Sequence, residues 1–257
     1  MLRFNIAQLF RAALIALFIS IGSQKSGFAQ VVPDDTLGAE SSVLGNGRVE
    51  GDAVQMIEGG ATRGGNLFHS FSEFNIGARE EVYFANPSNI DNILSRVTGN
   101  SLSTIDGVLG VDGSANLFLL NPNGIMFGPE AQLDIKGSFT ASTAGSFGFE
   151  NGEEFSAVAS ETSLLSVSVP LGLQLNTQSQ GDLTNAAFLS VGQGENLYLI
   201  GSQVSTSVQL SAPGGTAQVL GNQIELIDRE TATPSSRNSP DDTELIVQAT
   251  EGITIPD

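Results

Sequence analysis

The chain of 257 residues has no cysteine, no tryptophan, a single histidine and only 10 basic residues against 28 acids. Each shortage removes a class of function. Without cysteine there is neither a disulfide framework nor a thiolate metal site. A net charge of −18 provides no basic stripe to neutralise phosphates, which argues against nucleic acid and anionic lipid as partners. Long glycine-free stretches are also missing. Between Gln30 and Asp228 the longest runs from Ala78 to Thr98 and contains Pro87, so long helices have no place to form. The lone His69 has no cysteine or paired carboxylates beside it and reads as a strand or turn histidine. No Gly-x-Ser-x-Gly elbow occurs, and Gly59-Gly60 and Gly64-Gly65 lack the Gly-Lys-Ser/Thr ending of a phosphate loop. The acid pairs at Asp34-Asp35, Glu80-Glu81, Glu153-Glu154 and Asp241-Asp242 lack the spacing of a calcium loop and read as solvated turns.

What is present is 40% hydrophobic residues, enough for a core, and 30 glycines with no Gly-X-Y period. Residues 1–29 contain no acid, carry Arg3 and Arg11 early, and continue into an apolar stretch from Ala12 to Gly22. That is a secretory leader in length and too short to span a bilayer; Gly27 and Ala29 supply the small residues of a cleavage site after Ala29. Its removal leaves 7 bases against 28 acids and Lys136 as the sole lysine. An exported chain is permitted disulfides, so the absence of cysteine suits one that crosses a second membrane unfolded.

Strand periodicity recurs along the rest. Leu165 to Asn176 alternates without an error, and Leu133 to Ser142 and Val204 to Ser211 repeat the pattern. Asn89 to Val97 is the one place where a helical turn competes with a strand. Phe68, Phe71 and Phe74 fall three apart, a helical hint, but core packing within strands is the better account. Short strands punctuated by Gly and Asn suit a sandwich, a barrel or a solenoid. Echoes of Asn-Leu-aromatic at Asn66, Asn116 and Asn196 lean toward the solenoid, although separations of 50 and 80 residues fix no single period.

The most specific stretch is Ala115-Asn-Leu-Phe-Leu-Leu-Asn-Pro-Asn-Gly-Ile-Met-Phe-Gly128. Asn121, Pro122, Asn123 and Gly124 carry the favoured residue types of a β-turn in order: Asn121 bonds the backbone two residues on, and Pro122 presets φ. Leu117 to Leu120 and Ile125 to Phe127 are apolar on both faces and are expected to be fully buried. This stretch resembles the secretion domain of filamentous-haemagglutinin-type exoproteins, the passengers of two-partner secretion, in which Asn-Pro-Asn-Gly-Ile is a hallmark. Here it is Asn121, Pro122, Asn123, Gly124 and Ile125. The likeness extends from about Gly51 to Leu226, and within the family the chain is most similar to cyanobacterial members. A second family turn, Asn-Pro-Asn-Leu, is matched only by Asn86, Pro87, Ser88 and Asn89; Ser88 and Asn89 depart from it, while Asn86 and Pro87 still suit the opening of a type I turn.

The resemblance implies an all-β fold, a right-handed single-stranded parallel β-helix over residues 30–227 with N-terminal antiparallel capping strands. It implies no enzyme activity and no cofactor. The partners it implies are the Sec machinery, a signal peptidase and the POTRA domains of an outer-membrane TpsB-type transporter; for the engagement itself, an extended apolar segment such as Leu117 to Leu120 is expected to add to a sheet edge of the transporter. The product is expected outside the cell or on its surface after passing the periplasm, with solenoid folding nucleated there. Any cell-surface or carbohydrate ligand belongs to downstream repeats. A polar loop from Asp228 to Thr243 and one further strand end the chain, which reads as a truncated product, a fragment or a stand-alone domain. At about 20 to 25 residues per coil, some ten coils and a stack of 45 to 50 Å are expected. The alternative is a β-helical polysaccharide lyase, which needs acids on adjacent coils for Ca²⁺ and a Lys or Arg as base.

Overall fold

The computed structural model describes residues 30–158, 170–174, 181–207, 209–226 and 243–254. The leader expected at 1–29 and most of the polar loop expected at 228–243 lie outside these residues, as does most of the Leu165 to Asn176 alternation. Strands dominate, and the only helix among the described residues is a 3₁₀ turn at Gly38–Glu40. The chain winds as a β-solenoid with three faces per coil. The first face stacks Asn66–Asn75, Asn92–Val97, Asn116–Leu120, Phe139–Ser142, Leu197–Thr206, Thr216–Leu226 and Glu244–Thr254 in parallel. The second face stacks Ser103–Ile105, Ile125–Phe127, Asp182–Asn185 and the later part of Leu197–Thr206. The third runs through Asp52–Gly59, Glu81–Ala85, Val108–Asp112 and Gln132–Asp134.

The first coils are closed by antiparallel strands. Gln30–Pro33 and Ala61–Arg63 pair with Asn66–Asn75, and Ser42–Val49 forms a hairpin with Asp52–Gly59 through Glu50-Gly51. The expected N-terminal antiparallel cap is therefore present.

Six parallel steps link the seven strands of the first face, not the ten coils expected, and at about 4.8 Å per step they rise about 29 Å. Five of the steps take 20 to 28 residues. The remaining step, from Phe139 to Leu197, takes 58. Its surplus leaves the solenoid as an antiparallel sheet of Glu154–Ser156, Ser146–Phe149 and Pro170–Gln174. The errorless alternation around Leu165 to Leu175 thus contributes, at Pro170–Gln174, a strand of this side sheet rather than a coil.

Two apolar layers follow from the geometry. Inside the solenoid, Leu67, Ile93, Leu117, Phe139, Leu197 and Ala217 lie in one row, each from the successive coil. Outside the first face, Phe68, Leu94 and Leu120 pack under Phe147, Phe149 and Phe155 of the side sheet. Strands buried on both sides need apolar residues at both parities, which is why Leu117 to Leu120 shows no alternation. Phe68 points outward, where its ring meets Phe155 at 5.0 Å, whereas Phe71 and Phe74 point inward. A slip in the pairing, where Val32 faces Glu73 but Pro33 faces Phe71, shifts the parity within this strand and allows aromatic spacing of three without a helix.

Asparagine carboxamides bind the coils along one edge. Asn92 Nδ2 donates to Asn66 Oδ1 (3.0 Å) and Asn116 Nδ2 to Asn92 Oδ1 (3.0 Å). The Ser138 amide donates to Asn116 Oδ1 (2.9 Å), the Asn196 amide to Ser138 Oγ (3.0 Å), and the Thr216 amide to Asn196 Oδ1 (3.0 Å). Along Asn66, Asn92 and Asn116 carboxamide bonds carboxamide, as in other stacked β structures, and from Ser138 onward backbone amides take over as donors.

The Asn-Pro-Asn-Gly corner as candidate functional site

The corner at residues 121–124 joins the first face to the second. Its turn closes with the Gly124 amide donating to the Asn121 carbonyl at 3.1 Å. Asn121 is fully buried and its carboxamide is saturated: Nδ2 donates to the Ser101 carbonyl (3.0 Å) and to Ser103 Oγ (2.9 Å), while Oδ1 accepts from the Asn123 amide (3.0 Å) and from Asn123 Nδ2 (3.1 Å). The bond to the backbone two residues on, expected from the residue types, is present. Gly124 has φ of +124°, a conformation that excludes ordinary side chains, and a Cβ there would lie 3.0 Å from the Asp182 carbonyl oxygen.

Both neighbouring coils hold this corner. On one side the Ser103 amide donates to the Gly124 carbonyl (3.0 Å) and Asn123 Nδ2 to the Gly99 carbonyl (2.7 Å). On the other, the Gly181 amide donates to the Pro122 carbonyl (3.0 Å). Ile125 is buried between Ser103 and Leu183 of the adjacent coils. Of the five motif residues only Asn123 is exposed and Pro122 half-buried. The expectation of complete burial fails at Met126, which is 40% exposed because nothing among the described residues covers the outer side of the second face there, and it is met only in part at half-buried Phe118.

The weaker motif behaves differently. The expected turn opening at Asn86 is displaced by one residue: the closing bond runs from the Ile90 amide to the Pro87 carbonyl (3.0 Å). Ser88 and Asn89 form its exposed tip. Asn86 is engaged elsewhere. Its Nδ2 donates to the Ile90 carbonyl (3.0 Å), and its Oδ1 accepts from the Ser114 and Ala115 amides of the following coil (2.9 and 3.0 Å). That approach needs Gly113, where a Cβ would fall 2.1 Å from Asn86 Oδ1.

His69 lies in Asn66–Asn75 with no exposed surface. Its Nδ1 meets Ser42 Oγ at 2.9 Å, the Phe84 ring lies 5.2 Å away, and Nε2 has no partner among the described residues. Burial pulls its pKa down to about 3, so the ring is neutral at ordinary pH. Among the described residues no group of three or more His, Asp or Glu side chains is placed to hold a metal ion.

Sequence reading missed a polar cluster under the side sheet. Arg96, 3% exposed, sends Nε to Ser70 Oγ (2.9 Å), Nη2 to Thr36 Oγ1 (2.9 Å) and Nη1 to the Ser156 carbonyl, with its guanidinium 4.4 Å from the centre of the Phe155 ring. Both hydroxyls continue to Asp34: Ser70 Oγ donates to Oδ2 (2.8 Å) and Thr36 Oγ1 to Oδ1 (2.6 Å). Burial pushes the Asp34 carboxyl up, but its hydrogen bonds from Thr36, Thr98 and Ser70 outweigh this and hold it below the ordinary value. The only sequence signal was an arginine inside an apolar strand.

The described residues thus form a capped β-solenoid with an asparagine-stapled corner. The chain belongs to the TPS secretion domain family, whose model matches residues 29–249, and is accordingly the secretion domain of a two-partner-secretion exoprotein. It is similar to the crystal structure of a filamentous haemagglutinin secretion domain, at 16% identity over 88% of this chain and 95% of that one, with a TM-score of 0.45. It is also 36% identical over 66 residues to a heme/hemopexin-binding protein of Haemophilus influenzae, a match covering 26% of this chain and 7% of that protein. These matches do not separate the cyanobacterial branch from the others.

Proposed function

We propose that this chain directs its own passage across an outer membrane. Residues 1–29 deliver it to the Sec machinery and a signal peptidase. In the periplasm the chain stays extended and is recognised by the POTRA domains of a TpsB-type transporter. Outside the cell the capped first coils form and template the rest. The carrying observation is the burial of the hallmark: Asn121, Gly124 and Ile125 are inaccessible in the fold, and Leu117 to Leu120 is paired on both sides. Recognition through this stretch therefore belongs to the unfolded chain, where its backbone is open to β-augmentation, and the turn itself belongs to the folding step.

Folding also supplies a driving force where no nucleotide is available. At roughly 0.05 to 0.15 kcal/mol per residue, a domain of this size gains on the order of 10 to 30 kcal/mol. Each coil contacts chiefly its neighbours, so this free energy is released stepwise and biases threading outward.

Expression with and without the cognate transporter tests the reading. The processed chain is expected in the medium only when the transporter is present, and to remain in the periplasm, protease-sensitive, when it is absent. Equal amounts in the medium from both strains would overturn it.

A further inference from the structure

The Arg96 cluster has an unusual topology. Its acceptors include groups from three parts of the chain: Ser70 on the preceding coil, Thr36 sixty residues upstream, and Ser156 sixty residues downstream. Thr36 belongs to the N-terminal strap that follows Gln30–Pro33, and Ser156 closes the Ser146–Phe149/Glu154–Ser156 hairpin of the side sheet. The guanidinium and the Asp34 carboxylate are bridged by two hydroxyls, one from the strap and one from the first coil, so that each carboxylate oxygen receives one relay. Thr98 adds a third hydroxyl to the same carboxylate, at 2.5 Å. The strap and the hairpin thus meet at Arg96 on the outer side of the first face.

A buried guanidinium is tolerated only where its donors find acceptors. With the strap alone in place, the hairpin's carbonyl and the Phe155 ring are missing. With the hairpin alone, the Thr36 hydroxyl and the Asp34 charge are missing. Either half-assembled state leaves Arg96 in water, and the solvated side chain holds open the apolar surface of Phe68, Leu94 and Leu120 that the hairpin is built to cover.

We infer that Arg96 is a positioning residue that fuses the N-terminal strap, residues 30–37, and the hairpin, residues 146–156, into one cooperative folding unit, so that neither is stably seated over the first two coils before the other. In a chain emerging amino-terminus first, the cap would then remain unlocked until Ser156 is outside. That consequence rests on the route proposed above. The coupling itself does not, because it is a property of the purified folded chain.

Hydrogen exchange of the full chain, read by mass spectrometry, tests it through two variants that each touch only one segment. Thr36→Val removes the strap's acceptor and relay; Phe155→Leu removes the ring under the guanidinium. Coupling requires each to act across the gap: Thr36→Val raises exchange of amides at 146–156, and Phe155→Leu raises exchange at 31–37, by about five-fold or more, while strands Thr216–Leu226 and Leu197–Thr206 are unchanged. In an Arg96→Met background the same substitutions act only within their own segments. A merely structural arginine would leave the effects local from the start, and local effects in the Arg96 chain would overturn the inference. Should Arg96→Met fail to fold, the two cross-effects in the Arg96 chain still decide.

Discussion

A chain carrying Asn121→Ile together with Gly124→Val is expected to lose on the order of 5 kcal/mol of folding stability and to remain inside the cell with its leader removed. The Asn121 change leaves the Ser101 carbonyl, Ser103 Oγ and the Asn123 amide without the partner that now satisfies them. Ser103 is fully buried, and orphaning its hydroxyl costs about 1 to 3 kcal/mol, whereas at exposed Ser101 and Asn123 water takes up part of the loss. The Gly124 change forces a β-branched residue to φ of +124° and drives its Cβ against the Asp182 carbonyl, a further 1 to 3 kcal/mol or so. Against a total of about 10 to 30 kcal/mol for the domain, a loss of this size falls on the coils that hold the corner and leaves them poorly folded. The measurement is urea unfolding of the purified variant beside its level in the medium. Normal surface display of the double variant would contradict the role assigned to the turn.

Acid should weaken the fold in a window set by one residue. His69 has a folded pKa of about 3, lowered by burial, against about 6.5 in the unfolded chain. Between those values the unfolded state binds a proton that the folded state refuses, so stability falls as pH falls from 6.5 and the loss is complete near pH 3. At about 1.4 kcal/mol per unit, the loss is about 2 kcal/mol at pH 5 and about 5 kcal/mol in full. The carboxylates act elsewhere. Asp34 and Glu40 are held below their ordinary values of 3.8 and 4.5, so their contributions are present above those values and disappear only at lower pH. Unfolding free energies at pH 7.5 and 5.0 should therefore differ by about 2 kcal/mol in the wild type, and by far less in His69→Asn, whose carboxamide still reaches Ser42. An identical difference in both would place the proton elsewhere.

Much of this architecture was legible because each coil repeats the same local chemistry. The Asn-Leu-aromatic echoes are the amide row itself. Asn66 and Asn116 lie two coils apart with Asn92 between them, which gives the separation of 50. Asn116 and Asn196 are separated by one ordinary step and the long one, which gives 80. The period was hidden by an excursion, not absent. From Leu133 to Ser142 alternation marked the inward residues Ile135, Phe139 and Ala141, but it did not mark the corner. Leu133 to Ser142 reads as one strand, yet Gln132–Asp134 and Phe139–Ser142 lie on different faces with a bend between them, because inward residues keep their parity through the corner. The long step spends on the side sheet residues that would otherwise make coils, so dividing the chain length by about 20 to 25 residues overcounted them.

The turn at 121–124 and the Asn121 bond within it were readable because Asn, Pro and Gly each bring a local constraint, whereas the Asn121 bonds to Ser101 and Ser103 on the preceding coil were not. The Arg96 cluster was not, since it depends on residues sixty positions away in both directions. The displaced turn at Pro87 shows the same limit. Asn86 suits the first position of a turn, but two amides of the next coil claim its side chain instead.

Whether the hallmark works through folding or as a docking epitope is decided by one comparison: unfolding free energy against secreted yield for Asn121→Ala, Pro122→Ala, Asn123→Ala and Gly124→Ala. A turn that works through folding gives yields that fall in step with stability, lowest at buried Asn121 and Gly124 and nearest wild type at Pro122 and Asn123. An Asn123→Ala chain as stable as wild type and yet absent from the medium would contradict it.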